Sequence, residues 1–351
     1  MFCFECDHIP EKYPEILRIA LENGTLIEPR GSKCFEISPM CITAFSPRKR
    51  LFGTPGRNEN PIFPYVEGLW TLKGDDTPDM PSHYVRQTLC YVNQKTGRFD
   101  GAYGPRMRPV GRIDQFDAVY RRLLSDRESR RAVMTIFDPR LDNNENSLDI
   151  PCTISMQFLI RNDFLNMITY MRSNDLFRGF IYDTVEFQWF QEILAGWLGV
   201  EVGKYTHLVG SAHVYLNDKA RIEDVVSRAR SSTDSFSLYK AYEPQDARLP
   251  KTDFDRELQQ LFAIEESSRY DMLCKEKEEI EGSFQSRFYR NLALAIAGYN
   301  AHNLGHGELS AELFSLIDNE LGSLMRQKYQ NLADADLPIA PVPRRVPTRW
   351  H

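Results

Sequence analysis

Cys152 stands between Pro151 and Thr153, where a turn-like stretch runs into an apolar one. A thiol in that position becomes a nucleophile if nearby positive charge lowers its reference pKa of about 8.5. A lone cysteine is more often a small buried hydrophobe. Arg130-Arg131 and Arg172-Ser173 abut apolar runs that read as strands. Kept apart, such arginines form surface ion pairs; brought together, their planar forks match a phosphate dianion. His213 and Tyr215 lie two apart on another strand-like run, so both project to one face and would offer hydrogen bonds to a sugar. The plainer reading is a satisfied core pair. Glu67 is an acid on an otherwise apolar helical run, either on its wet face or buried for function.

Other signatures are missing. No Walker A loop, no G-x-G-x-x-G after a strand, no G-x-S-x-G elbow and no H-E-x-x-H occurs. Cys3, Cys6 and His8 form a C-x-x-C-x-H cluster, but no second ligand pair completes a tetrahedral set, so no metal is expected. The odd count of seven scattered cysteines reads as reduced thiols.

These groups need elements to position them. The pattern predicts a helix between Asp114 and Asp126, with Phe116, Val119, Leu123 and Leu124 at helical spacing, then a buried strand over 132–137. A strand from Cys152, a turn at 161–163 and a strand over 164–171 predict a hairpin. Asp183 followed three residues on by Glu186 reads as a capping box opening a helix that runs to Leu198 and stops at Gly199. A strand over 206–215 follows, and helical patterns cover 252–281, 283–300 and 307–330. The first half is loop-rich and partly β, with a thiol-bearing N-terminal arm.

With 351 residues, 42% hydrophobic and 26% charged, the chain is globular and long enough for one large domain or two. No apolar run reaches the ~18 residues of a membrane span. The net charge of −6 argues against a surface devoted to nucleic acid, while leaving room for a local basic pocket. The start has no basic, apolar and cleavable signal pattern, so a cytoplasmic location is expected.

The motifs, taken in order, resemble the folate-dependent thymidylate synthase family. Residues 67–74 resemble its Glu-leading helix, 102–108 its Tyr-Gly segment, 126–131 its double arginine, and Pro151-Cys152 its nucleophile site. Residues 172–175 with Gly179 resemble its Arg-Ser-x-Asp segment, and 213–217 its His-x-Tyr-x-Asn segment. The resemblance covers roughly residues 15–235 and implies an α+β fold, a mixed sheet packed with helices. With it the chain reads as a catalytic domain at 1–250. The helical patterns after 250 add a C-terminal helical extension at 251–335 with no counterpart in the family, and composition marks a Pro-rich basic tail at 336–351. It also implies a homodimer, a pyrimidine nucleotide monophosphate substrate and 5,10-methylenetetrahydrofolate as cofactor. Cys152 would add to C6 of the base. Arg172 and Ser173 would hold the phosphate, joined by Arg130 and Arg131 of the other subunit and, in a shortened segment, by Arg30. His213 and Tyr215 would bind the sugar, Asp175 and Gly179 the folate, and Glu67 and Tyr103 would organise water and proton transfer.

Two departures stand out. Asp183 occupies the position of an Asn that reads uracil, and a carboxyl accepts from the amine of cytosine. Thr153 replaces the His that usually follows the nucleophile. Both resemble the branch that hydroxymethylates cytidylates, with water added in place of hydride. The expectation is therefore a CMP or dCMP 5-hydroxymethylase, CMP slightly ahead, with Cys152, Glu67, Tyr103 and Asp183 catalytic and Asp183 reading the base. The alternatives are a thymidylate synthase acting on dUMP and a non-catalytic nucleotide- or RNA-binding module.

Overall fold

The structure is a computed structural model, and it describes residues 2–109, 113–143, 147, 149–231, 243–270 and 276–329. Its centre is a mixed sheet of eight strands: β1 (Phe2–Cys6), β2 (Thr25–Ile27), β3 (Cys34–Ile37), β4 (Met40–Ala44), β5 (Val133–Thr135), β6 (Thr153–Arg161), β7 (Phe164–Asp175) and β8 (Glu201–Tyr215). The order is β1-β4-β8-β7-β6-β5, with β3 on β8 beyond β4 and β2 on β3. β8 pairs parallel with β7 and antiparallel with both β3 and β4. The predicted hairpin is β6–β7, and its two turn residues Asn162 and Asp163 take φ of 51° and 60°. Asn and Asp tolerate that left-handed pair, which matches the twist of the flanking strands.

The helices are α1 (Ile9–Asn23), α2 (Phe63–Lys73), α3 (Asp79–Tyr84), α4 (Gly104–Met107), α5 (Gln115–Ser125), α6 (Pro139–Asp142), α7 (Phe180–Leu198), α8 (Lys219–Ser231), α9 (Lys251–Arg269), α10 (Glu276–Ser283), α11 (Arg287–Asn303), α12 (Gly307–Ser315) and α13 (Glu320–Tyr329). α7 is the central helix. It carries Phe187, Trp189, Phe190, Ile193 and Leu194, each fully buried. Apolar residues cover most of its faces, so it sits inside the fold rather than on its surface. α2 crosses it closely because Gly68 has no side chain: a Cβ there would come within 2.8 Å of the Trp189 ring. That contact holds Glu67 opposite the first turns of α7.

Several local expectations are corrected. The residues read as an N-terminal arm form β1, parallel to β4, and then α1. The helix predicted from Asp183 begins at Phe180, with Gly179 at its N-cap, so Asp183 is not the cap. β7 runs on to Asp175, and β5 is a short edge strand with Val133 exposed. α5 is capped by Asp114, whose side chain accepts from Asp117 N, but Leu124 faces solvent. The first long helical pattern after 250 is divided into α9 and α10.

The helices after residue 250 share the core of the sheet. Phe254 packs on Trp197, Phe288 on Tyr65 and Trp189, and the Tyr289 hydroxyl donates to Ala247 O at 2.8 Å. A buried ion pair braces the same region. Glu192 of α7 accepts from Arg50 at 2.6 Å, Arg48 at 3.0 Å and Ala247 N at 3.0 Å. The proposed tail at 336–351 lies outside the described residues. Among the described residues no helix is long and apolar enough to cross a membrane.

Candidate active site

Antiparallel pairing of β6 with β7 sets Thr153 opposite Met171, so the start of one strand meets the end of the other. Arg172 N donates to Cys152 O at 2.8 Å. The Arg172 guanidinium donates to Pro151 O at 2.9 Å and Ile150 O at 2.8 Å, and its Nη2 reaches the Cys152 Sγ at 3.8 Å. Two carbonyls therefore fix an arginine over the thiol. Parallel pairing with β8 then sets Ser173 beside Ser211 and Asp175 beside His213. Arg30 precedes β3, whose Cys34 pairs with Tyr215, and its charge is felt at both Tyr215 and Cys152. Its φ of 52° is left-handed. That conformation costs a residue with a Cβ about 1–2 kcal/mol. Strain of this kind gathers at functional sites.

Burial opposes the thiolate that the neighbouring arginines favour. Burial raises the Cys152 pKa, Arg172 and Arg30 oppose the shift, and Asp183 and Asp149 reinforce it. The resting group is a thiol, because removing water from the sulfur outweighs the attraction of the arginines.

Arg130 and Arg131 lie elsewhere. Gln157 donates to Arg130 O, and Ala132 O accepts from Phe158 N, which places the pair alongside the far half of β6. At about 3.3 Å per residue that is about 20 Å from Cys152, beyond the reach of an arginine side chain. Both side chains are exposed. They do not join the Cys152 cluster of their own chain.

Three carboxyls meet where α2 faces α7. Burial, then Asp183, pushes Glu67 up to about 8. Burial pushes Asp183 up to about 7, against a 2.7 Å hydrogen bond donated by Asn174 Nδ2 to its Oδ2. Glu186 is raised well above the usual carboxylate range, by burial, then Glu67, then Asp183, although it accepts from Thr71 Oγ1 at 3.0 Å. Like charges this close cannot all ionise in a poorly hydrated space. The cluster therefore carries protons at neutral pH.

Tyr103 joins the nucleophile's strand. Its hydroxyl is 3.0 Å from Thr153 Oγ1 and accepts from Thr153 N at 3.3 Å. Burial, then Asp183, raises it well above the usual tyrosine range, so it is a neutral phenol. His213 and Tyr215 do share a face, with buried Ala212 and Val214 on the other, and their rings meet edge to face at 5.2 Å. Arg178 lies over the Tyr215 ring at 4.9 Å. Asp175 Oδ1 accepts from Phe177 N and Arg178 N, each at 2.9 Å. Gly179 lies beside Asp183, where a Cβ would come 3.3 Å from Oδ2. Among the described residues no group of three or more His, Cys, Asp or Glu is placed to hold a metal; Cys3 is exposed and Cys6 buried.

Sequence reasoning missed Asn174, Glu186 and Asp149 as site residues. A signal existed for Glu186: an acid three residues after Asp183 on an otherwise apolar helix shares its face. For Asn174 the signal is weaker, since its partners lie far along the chain.

The structure thus sets a thiol beneath an anchored arginine, with Asp183 near enough to act on it. The chain belongs to the thymidylate synthase family, whose sequence profile matches residues 64–258. It is 34% identical over 230 residues to a deoxyuridylate hydroxymethyltransferase of Bacillus phage SP01, covering 62% of this chain and 60% of that one. It is 27% identical over 293 residues to a deoxyuridylate hydroxymethyltransferase of Pseudomonas phage M6, covering 82% of this chain and 80% of that one. The second match is longer than residues 1–250 can supply, so the C-terminal helical region is shared at least in part with that relative.

Proposed function

We propose that this chain transfers a one-carbon unit to C5 of a pyrimidine nucleotide monophosphate, that the nucleotide is deoxyuridylate, and that the product carries a 5-hydroxymethyl group. The observation that carries the reading is Cys152 held under Arg172, with the buried Asp183 near enough to act on the thiol. Both phage relatives bear the name of that activity.

The cytidylate expectation, CMP ahead of dCMP, is not carried forward. It had Asp183 accept from the cytosine amine and, where protonated, donate to N3. Burial raises this carboxyl to about 7. A neutral acid, with one donor and one acceptor, pairs with O4 and N3–H of uracil as well, so the uracil assignment rests on the activity named for the two phage relatives.

Each residue then has a role. Arg172, Ser173 and Arg30 hold the phosphate, with Arg130 and Arg131 supplied by the second subunit of a homodimer. Support for the dimer is the exposed apolar row Phe164, Ile168 and Tyr170 on β7, beside exposed Val133 of β5. His213 and Tyr215 bind the sugar hydroxyl. Cys152, once deprotonated, adds through sulfur to C6 and opens the C5–C6 double bond. C5 takes up the one-carbon unit and gives up its proton. When water adds to the resulting exocyclic methylene, the C5–C6 double bond re-forms and the sulfur leaves. Glu67 and Glu186 hold the water that completes the hydroxymethyl group and exchange protons with it. Tyr103, pinned by Thr153, remains a proton donor beside the base.

The residues present fit a folate. The backbone hydrogen bonds fall on Asp175 Oδ1, and its Oδ2 meets the longer 3.7 Å ion pair with Arg178 Nε, so this oxygen can still accept from a ring N–H. Gly179 leaves the adjoining wall open. When bound, 5,10-methylenetetrahydrofolate supplies the carbon at the oxidation level of formaldehyde.

The test is product mass after incubation with dUMP, dCMP or CMP and the folate. A gain of one CH2O unit on dUMP supports the proposal. A gain of CH2 on dUMP makes the protein a thymidylate synthase, turnover of dCMP or CMP alone overturns the uracil assignment, and binding without turnover leaves a nucleotide-binding module.

A further inference from the structure

Asp149 stands three residues before Cys152 and is used by none of the steps above. Its Oδ2 accepts from Gly101 N at 2.8 Å. Gly101 in turn lies two residues before Tyr103, whose hydroxyl is 3.0 Å from Thr153 Oγ1 and accepts from Thr153 N. Two short segments, 101–103 and 149–153, are therefore tied together at both ends. They close a ring, and Cys152 lies within its arc.

Each segment is also fixed to the body of the fold. Arg106 of α4 forks onto Asp142 at 2.6 and 2.7 Å and donates to Ile136 O and Asp100 O, each at 2.9 Å, which anchors the segment that carries Tyr103. Arg172 anchors the other segment from the β7 side, through Ile150 O, Pro151 O and Cys152 O. A segment held at one point can swing about that point, whereas one held at two cannot. The bond from Gly101 to Asp149 supplies the second point. It also depends on a missing side chain: a Cβ on Gly101 would come 2.6 Å from Asp149 Oδ1, so any other residue there pushes the carboxyl away.

We propose that Asp149 is a positioning residue for the nucleophile: by accepting from Gly101 N it closes the ring and holds Cys152 in register with Tyr103. It acts through the backbone of its own segment and touches no reacting atom. This inference rests on the roles given above to Cys152 as nucleophile and Tyr103 as proton donor.

The experiment compares the full-length native chain with Asp149→Ala, Asp149→Asn, Gly101→Ala and the double variant Gly101→Ala/Asp149→Ala. A reacting atom misplaced by a fraction of an ångström costs about tenfold, so Asp149→Ala should lower kcat by about that factor, with the dUMP dissociation constant changed less than about twofold. The Asn side chain can still accept from Gly101 N and should restore kcat to within about threefold of native. Both replacements remove the charge, so the difference between them reports the bond alone. Gly101→Ala should also cost about tenfold, and the double variant no more than either single change, because both break one link. Equal losses in Asp149→Ala and Asp149→Asn, a double variant about a hundredfold down, or no loss in any variant would overturn the inference.

A second readout needs no substrate. Iodoacetamide labelling of the Cys152 peptide, followed by mass spectrometry, should be about threefold or more faster in Asp149→Ala than in Asp149→Asn, since only the former frees the segment; equal rates overturn the inference. Gly101→Ala carries both measurements if Asp149→Ala does not fold. A native chain that turns over no dUMP overturns the functional reading instead, and the labelling rates then decide the positioning by themselves.

Discussion

Asp183→Asn, combined with pH, separates the two ways in which residue 183 can read a pyrimidine. Burial places the Asp183 pKa at about 7, so about nine-tenths of the carboxyl is neutral at pH 6 and about one-tenth at pH 8. The charged groups facing it are Glu67 of α2, Glu186 one turn along α7 and Asp175 of β7, all acidic. If the neutral acid donates to O4, the ratio of kcat/KM for dUMP to that for dCMP should fall about tenfold from pH 6 to pH 8. Taking the ratio cancels the ionisation of Cys152 and Glu67, which serve both substrates. The Asn variant has no proton to lose at that position, so its ratio should be flat. Folding stability offers a second readout. The folded-state pKa lies above the unfolded value, so the folded chain binds the extra proton between about pH 4 and pH 7, and stability falls as pH rises through that window. From pH 5 to pH 8 the native chain should lose about 2–3 kcal/mol more than Asp183→Asn in urea titrations. A native ratio independent of pH, or an Asn variant that keeps the slope, would refute the reasoning.

Cys152→Ala should abolish product formation and retain dUMP binding, and iodoacetamide should label the native thiol slowly at pH 7 and faster as pH rises, because burial keeps it protonated. Mixing inactive Cys152→Ala with inactive Arg131→Ala after brief unfolding should restore about a quarter of native activity if arginines cross between subunits, since random pairing yields half heterodimers, each with one intact site; no recovery would place these arginines outside the site. Arg50→Ala leaves Glu192 buried with a weakened set of partners and should cost about 3–5 kcal/mol by urea unfolding. A loss under about 1 kcal/mol would show that Arg48 and Ala247 N suffice.

The legible parts of the fold are those encoded by near neighbours. Asp114 caps α5 because its side chain reaches an amide three residues away, and Asn162-Asp163 turns the β6–β7 hairpin because those residues tolerate left-handed backbone. The same reasoning failed at Asp183. A local reading made it a cap, but Gly179 lets the chain enter α7 one turn earlier and turns Asp183 toward Asn174.

The sequence by itself determined the family motifs, the shared face of His213 and Tyr215 and most strands and helices, since each depends on residue type and order or on periods of two or 3.6. Only the tertiary structure decided the state of the chemistry. Burial raises the pKa values of Cys152, Glu67 and Asp183. Strand pairing placed Arg172 on the sulfur and left Arg130 and Arg131 about 20 Å away. Helix crossing at Gly68 and the β7–β8 register joined Glu186 and Asn174 to a site that neither marks in sequence. The reason is physical: local backbone preference acts over about four residues, whereas a group's charge and hydrogen-bond direction are set by whatever distant residues displace water around it.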